Sequence, residues 1–136
     1  MKRDLNLVRE ILLRLEPLSA TPDQPVPIDI GKPPLDILDY TDEQIVYHIR
    51  IMEDGGLISY SSGITTPGLG ALLAPGVRFR LPRFNGLRWQ GHEFLDDVRD
   101  PKTWEATKKT FSKVGDVSLQ VAWEIARAYL RTHLPF

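Results

Sequence analysis

The chain has 136 residues, the length of one ordinary domain, and 42% of them are apolar, which is enough to form a hydrophobic core. Its formal net charge is −1, so the protein as a whole has no general attraction for nucleic acid or anionic lipid. The absence of cysteine excludes disulfides, thiolate metal sites and a cysteine nucleophile, and is typical of a reducing compartment. We therefore expect a cytoplasmic protein with a single domain over residues 1–136.

The first predicted element is a helix over residues 1–16. Its apolar residues recur at intervals of three and four and define one face: Leu5, Val8, Ile11, Leu12 and Leu15. Asp4 is the expected N-cap, and Pro17 ends the helix. Because charged residues interrupt the apolar run, this segment is predicted to be neither a signal peptide nor a membrane span.

Residues 17–40 are rich in proline and predict a loop, with a short extended piece at residues 26–30. A second helix follows over residues 41–54, with Thr41 as its cap. Ile45, Ile49 and Met52 form its core face. Gly55 or Gly56 is expected to take the left-handed conformation at its end, which reverses the chain into a strand over residues 57–60.

Residues 55–88 predict a two-stranded wing. Residues 61–76 are uncharged and rich in glycine, proline, serine and threonine, which is typical of a long loop tip. Residues 77–84 alternate between apolar and basic and predict a strand. The Asn85-Gly86 pair that follows predicts a turn.

Residues 89–136 predict three helices: one over residues 89–99, one that begins with Asp100-Pro101 and ends near Gly115, and one over residues 118–132. All three tryptophans, Trp89, Trp104 and Trp123, are expected in the core. The last helix is apolar on nearly all sides, so we expect a second copy of the chain to cover part of it. The predicted homodimer contacts are Leu119, Trp123, Ala126, Tyr129 and Leu130.

This order of elements predicts an α+β winged helix, a helix-turn-helix variant with a two-stranded β-wing and additional C-terminal helices. The helix before the wing is the one that enters a DNA major groove in such proteins. Gln44, Tyr47 and His48 are expected to lie off its core face, where they would meet base edges and phosphates. Asp42 and Glu43 oppose that role, because they would approach phosphate; the alternative is a surface that faces solvent or a protein partner.

Charge is segregated along the chain. Residues 17–54 hold eight acids against two bases, whereas residues 55–92 hold no acid and four arginines: Arg78, Arg80, Arg83 and Arg88. We expect these arginines, more than the second helix, to drive any binding to double-stranded DNA. In the alternative interpretation they pair with acids of the protein itself, such as Asp96 and Asp97.

The sequence contains little that predicts catalysis. His92, Glu93 and Asp96 form H-E-x-x-D, which resembles the zinc-binding motif H-E-x-x-H, but the sequence shows no third ligand. The ordinary interpretation is a set of polar residues near a helix start. No nucleophile motif or phosphate-binding loop is present. We therefore expect neither an enzyme nor a cofactor or metal site.

Three separated blocks carry a resemblance to a known family. They are MKRDLNLVREILLRLE, YTDEQIVYHIRIMEDGGLI and LRWQGHEFLDDVRDPKTWEATK. Together they resemble the bacterial and phage family called "domain of unknown function 2513". The resemblance implies a winged-helix-like fold and a phage or prophage context, with no established activity. The leading prediction is a DNA-binding transcription regulator; the alternative is a winged-helix module that binds a protein partner and no DNA.

Overall fold

A computed structural model of the protein describes residues 1–60, 83–113 and 117–133. These residues form five helices, α1 (Leu5–Leu15), α2 (Asp42–Asp54), α3 (Trp89–Val98), α4 (Pro101–Ser112) and α5 (Leu119–His133), and two strands, β1 (Ile58–Tyr60) and β2 (Phe84–Leu87). The predicted α+β class is confirmed. The loop tip at 61–76 and residues 77–82 of the predicted strand lie outside the described residues. The chain divides into two compact units, Met1–Gly91 and His92–Phe136, and the single domain over residues 1–136 stays a prediction.

Helix α1 forms as its sequence pattern predicts. The Asp4 side chain accepts hydrogen bonds from the backbone N–H groups of Asn6 at 2.8 Å and Leu7 at 3.3 Å, so it satisfies two donors of the first turn. The buried face contains every apolar residue predicted for it and Leu7 in addition. This face packs on α2 and forms the core of the first unit.

Helix α2 begins with a capping box. The Thr41 hydroxyl accepts from the backbone N–H of Gln44, and the Gln44 side chain accepts from the backbone N–H of Thr41. Its predicted core face is confirmed, since Ile45, Ile49 and Met52 are all buried. The residue with positive φ at its end is Gly56, at 77°, and Leu57 N–H then donates to the carbonyl of Met52 at 2.9 Å.

Strands β1 and β2 pair antiparallel, with Ile58 opposite Leu87 and Ser59 opposite Gly86. The register shifts at the next pair, where Tyr60 lies opposite Phe84 and Asn85 is the additional residue. The turn predicted at Asn85-Gly86 is therefore wrong, because both residues lie inside β2. The pair that favours a turn also suits a bulge, since Gly86 adopts a φ of 125°.

The proline-rich loop contributes to the same core. Val26, in the piece predicted to be extended, forms an isolated antiparallel bridge with Phe84. The two N···O distances are 2.9 and 2.8 Å. Ile28, Leu35 and Ile37 are buried, so this loop covers apolar surface without regular secondary structure. Leu38, by contrast, is 84% exposed.

In the second unit, α4 packs on α5. The predicted start of α4 is confirmed: Asp100 accepts from the backbone N–H of Lys102 at 2.7 Å, and Pro101 occupies the first turn. Trp104 is 2% exposed, and its ring packs edge-on against Phe111 with centroids 6.0 Å apart.

Helix α5 is buried along one narrow face. Of its residues only Ala122, Trp123 and Ala126 are buried, and Val121 is 41% exposed. Trp123 Nε1 donates to Asp97 at 2.6 Å, and its ring packs edge-on against Phe94. The prediction that Trp123 and Ala126 form a dimer interface is therefore wrong, because their own chain covers both. Leu119, Tyr129 and Leu130 are partly exposed, and their predicted role in a homodimer stays a prediction.

Candidate nucleic-acid interface

The predicted DNA-reading residues of α2 occupy three different environments. Gln44 is partly exposed, and its side-chain oxygen is engaged with the backbone N–H of Thr41 at 2.8 Å. Tyr47 is also partly exposed, and its ring lies edge-on to His48 with centroids 5.6 Å apart. Gln44 therefore has a structural role in the capping box of α2.

His48 does not lie off the core face, and that part of the prediction is wrong. It is 1% exposed, and its Nε2 accepts a hydrogen bond from the backbone N–H of Asp4 at 2.7 Å. Its Nδ1 lies 2.7 Å from the backbone carbonyl of Gln44, to which it donates. An amide donor on Nε2 assigns the proton of the neutral ring to Nδ1. His48 therefore connects the start of α1 to α2 and is not available to a ligand.

We expect His48→Ala to lower the free energy of unfolding by about 1–3 kcal/mol, because the Asp4 N–H is left without its buried acceptor. Urea denaturation followed by circular dichroism measures this change. Tyr47→Ala is the matched control on the adjacent, partly exposed position and should cost less. Equal losses for the two variants would contradict the buried role of His48.

The exposed side of α2 carries Glu43, Tyr47, Arg50 and Asp54, at intervals of four, three and four residues. Two acids accompany one base along this stripe. An acid that approaches the phosphate backbone is repelled, so this face is poorly suited to enter a groove of DNA. The charge of this face therefore opposes the predicted contact between α2 and DNA.

Exposed arginines lie at both ends of β2. Arg83 directly precedes the strand and Arg88 directly follows it, and both are exposed. Four residues lie between them, so the two Cα atoms are at most about 16 Å apart, and the bulge in β2 shortens this distance. The backbone of Arg88 is held by a 2.9 Å hydrogen bond from its N–H to the carbonyl of Leu57. Arg78 and Arg80, the other two predicted contacts, lie outside the described residues.

Trp89, the first residue of α3, is 78% exposed, so its predicted place in the core is wrong. The predictions for Trp104 and Trp123 are confirmed. The position of Trp89 around the helix distinguishes it from the other two tryptophans. Gly91, Phe94 and Leu95 lie on the buried side of α3, and Trp89, five residues before Phe94, does not share that side. An exposed indole beside an exposed arginine is a surface that sequence reasoning missed.

Arg88 and Trp89 border an open groove with a volume of about 700 Å³. Its lining includes three glycines, two at the end of α2 and one in β2, and its only charged side chains are those of Asp54 and Arg88. The groove is lined by Pro22, Asp54, Gly55, Gly56, Ser59, Asn85, Gly86, Leu87, Arg88, Trp89 and Gln90. Such a surface offers an aromatic ring for stacking, a guanidinium for an anion and accessible backbone groups.

Two buried polar atoms belong to residues that are sequence neighbours of residues lining this groove. Within the part of the chain that the structure describes, Glu53 Oε2 and the Tyr60 hydroxyl have no hydrogen-bond partner. Burial, and then the neighbouring Asp54, raise the pKa of the Glu53 carboxyl, while Arg88 and the backbone N–H of Tyr60 act in the opposite direction. Burial, and then the charge of Glu53, raise the pKa of the Tyr60 hydroxyl.

These shifts give a pH-dependent prediction for Glu53→Gln. A carboxyl whose folded-state pKa is raised contributes stability below its unfolded pKa of about 4.3 and loses that contribution as pH rises through the folded value. The melting temperature of the variant relative to the natural protein should therefore increase as pH rises from about 4 to 7. Thermal melts at several pH values measure it. If the difference in melting temperature between the variant and the natural protein stays constant or decreases over this range, the charged Glu53 carboxylate does not destabilise the fold.

The H-E-x-x-D residues do not come together as a metal site. Asp96 pairs with Arg99 at 3.1 Å, and His92 is exposed. Across residues 1–60, 83–113 and 117–133, no group of three histidine or acidic side chains is placed to hold a metal ion. In the same residues, no helix combines the length and the apolar character needed to cross a membrane.

Comparison with known proteins places the chain in a family. The family model described as "Hypothetical protein (DUF2513)" matches residues 2–117, so the chain belongs to the DUF2513 family, as its sequence blocks predict. An uncharacterized protein of Haemophilus influenzae is 31% identical over 134 residues, which cover 96% of each chain. No solved structure matches the chain at a significant level.

Proposed function

We propose that the protein is a cytoplasmic, non-enzymatic regulator of phage or prophage origin that binds duplex DNA through the β2 side of a winged helix. The observation that carries the proposal is the pair of exposed arginines, Arg83 and Arg88, at the two ends of β2. They belong to a segment, residues 55–92, that contains no acid. Guanidinium groups separated in this way grip phosphates on either side of a groove or enter a narrow minor groove.

The order of helix, helix and two-stranded sheet in residues 1–91 supports this proposal. In winged helices, the wing contacts DNA beside the helix that precedes it. Here the exposed stripe of α2 carries two acids and one arginine, so the sheet side has the more favourable charge. We therefore assign the main contacts to the arginines of residues 55–92 and not to α2.

Duplex binding and its salt dependence test the proposal. The double variant Arg83→Gln with Arg88→Gln should flatten the slope of log affinity against log salt by about 1.8, which is 0.9 for each phosphate that an arginine no longer neutralises. Fluorescence anisotropy with a mixed-sequence duplex, measured over a range of NaCl concentrations, gives this slope. Because both arginine side chains are exposed, the melting temperature should change little, and the small decrease expected comes from the lost attraction between Arg88 and Glu53.

A charge-matched control is available in the second unit. Arg99 and Arg127 are both ion-paired, with Asp96 and Asp97 respectively, each at 3.1 Å. Changing both to glutamine removes the same charge from a surface that the proposal does not use. If this control flattens the slope as much as the β2 variant, the effect is one of net charge and the proposed site is wrong.

A protein-binding module is the second candidate, and the exposure of Trp89 favours it. Tryptophan and arginine are the residue types that most often dominate protein interfaces, and here they are adjacent on an open groove. Trp89→Ala should leave the melting temperature unchanged and abolish binding to such a partner. Pulldown from a host or phage lysate with and without nuclease separates the candidates, because capture that survives nuclease favours a protein partner.

A further inference from the structure

Helix α4 carries a line of lysines on its exposed side. Lys102, Lys109 and Lys113 succeed one another at seven and four residues, so they follow one side of the helix over about 16 Å. All three are exposed. We define these three residues as the lysine stripe. Within the described residues none of the three forms an ion pair, whereas the neighbouring Lys108 binds Glu105 at 2.9 Å.

Helix stability does not account for the whole stripe. Lys109 lies in the last turn and Lys113 caps the end of the helix, where positive charge complements the helix dipole. Lys102 lies in the first turn, where the dipole disfavours a cation, and the acid at this helix start is the N-cap Asp100. Helix stability therefore does not require a lysine at this position.

A cleft of about 450 Å³ lies between the first two lysines of the stripe. Lys102, Lys109 and Ala106 line it together with Tyr129 of α5. The Tyr129 ring is stacked on the His133 ring, with centroids 3.9 Å apart. Glu105 also lines the cleft, but its carboxylate is bound to Lys108. A surface lined by two lysines and an aromatic ring suits a phosphate-linked chain.

The geometry points to the phosphate backbone of duplex DNA as the ligand of the lysine stripe, an inference that rests on the proposed function. Charge complementarity identifies the ligand as a polyanion. A membrane surface fits less well, because a helix that lies on lipid presents large apolar side chains to it. The apolar side of α4 is instead buried around Trp104 in its own chain.

The triple variant Lys102→Gln, Lys109→Gln and Lys113→Gln tests the inference with the same duplex and salt series. The slope of log affinity against log salt should flatten by about 2.7, or 0.9 for each of three phosphates. Lys108→Gln is the control, because this lysine is already paired, and its effect should stay well below that of one phosphate. Circular dichroism melts should show that the triple variant remains folded.

The outcomes separate this inference from the proposed function. If the arginine variant flattens the slope and the lysine variant does not, the DNA-binding proposal stands and the lysine stripe is only a solvated surface. If the natural protein binds no duplex, both proposals fail. If it then binds vesicles containing phosphatidylserine and the triple variant does not, the stripe belongs to a membrane surface and the inference is overturned.

Discussion

Gly91→Ala is expected to lower the free energy of unfolding by about 3 kcal/mol or more, the upper end for overpacking. Gly91 lies in the first turns of α3 against the backbone of Leu57, and a Cβ at this position would overlap the Leu57 carbonyl oxygen. That oxygen also accepts the backbone N–H of Arg88 at 2.9 Å, so it is fixed from a second side. Because the obstacle is backbone and not a flexible side chain, no rotamer change relieves the overlap.

The sign of this effect is informative, because helix propensity predicts the opposite. Alanine stabilises a helix interior by about 1 kcal/mol relative to glycine. Gly56→Ala is a useful control: its φ of 77° is strained for alanine, but a Cβ there meets nothing within 4 Å. It should cost about 1–2 kcal/mol. Urea denaturation compares the two, and a Gly91→Ala variant more stable than the natural protein would disprove the close approach.

The same close approach has a functional consequence. The backbone of Leu57 is contacted by Arg88, through its N–H, and by Gly91, so a shift at Gly91 should also displace the Arg88-Trp89 pair. If the proposed DNA binding holds, a Gly91→Ala protein that still folds should bind duplex DNA more weakly. The anisotropy assay proposed for the arginine variant measures this weakening.

The second large effect is expected at Ile49. It is fully buried, between Ile45 and Met52 on the core face of α2, so Ile49→Ala should cost about 2–5 kcal/mol. Gln44→Ala, which the helix pattern alone predicts to be silent, should cost about 0.5–1 kcal/mol because it removes half of the capping box. Denaturant melts that give equal losses for the two variants would show that the assigned phase of α2 is wrong.

Local patterns in the sequence predict the helices well. Asp4, Thr41 and Asp100 cap their helices as expected, because capping depends on residues within one turn. The spacing of apolar residues also identifies the core faces of α1 and α2, since each helix buries one continuous stripe. These features require no knowledge of distant contacts.

Features that depend on distant contacts could not be predicted in the same way. His48 is polar, but it shares the spacing of Ile45 and Met52, and only the position of Asp4 reveals its acceptor role. Asn85-Gly86 suits either a turn or a bulge, and pairing with Ser59 decides between them. The groove beside Trp89 brings together residues from Pro22 to Gln90, so no single stretch of sequence contains it.

Asp4 links the start of α1 to distant parts of the first unit. Its backbone N–H binds His48, 44 residues away, and its carboxylate binds the Tyr40 hydroxyl, 36 residues away, while also capping α1. The N-terminal end of α1 is thus hydrogen-bonded to two segments remote in sequence, so it cannot fray without breaking both bonds. Exchange of the Asp4 amide proton with solvent deuterium should therefore be slow for a residue that precedes the first turn of its helix. Its rate should report the separation of α1 from α2 as a cooperative event.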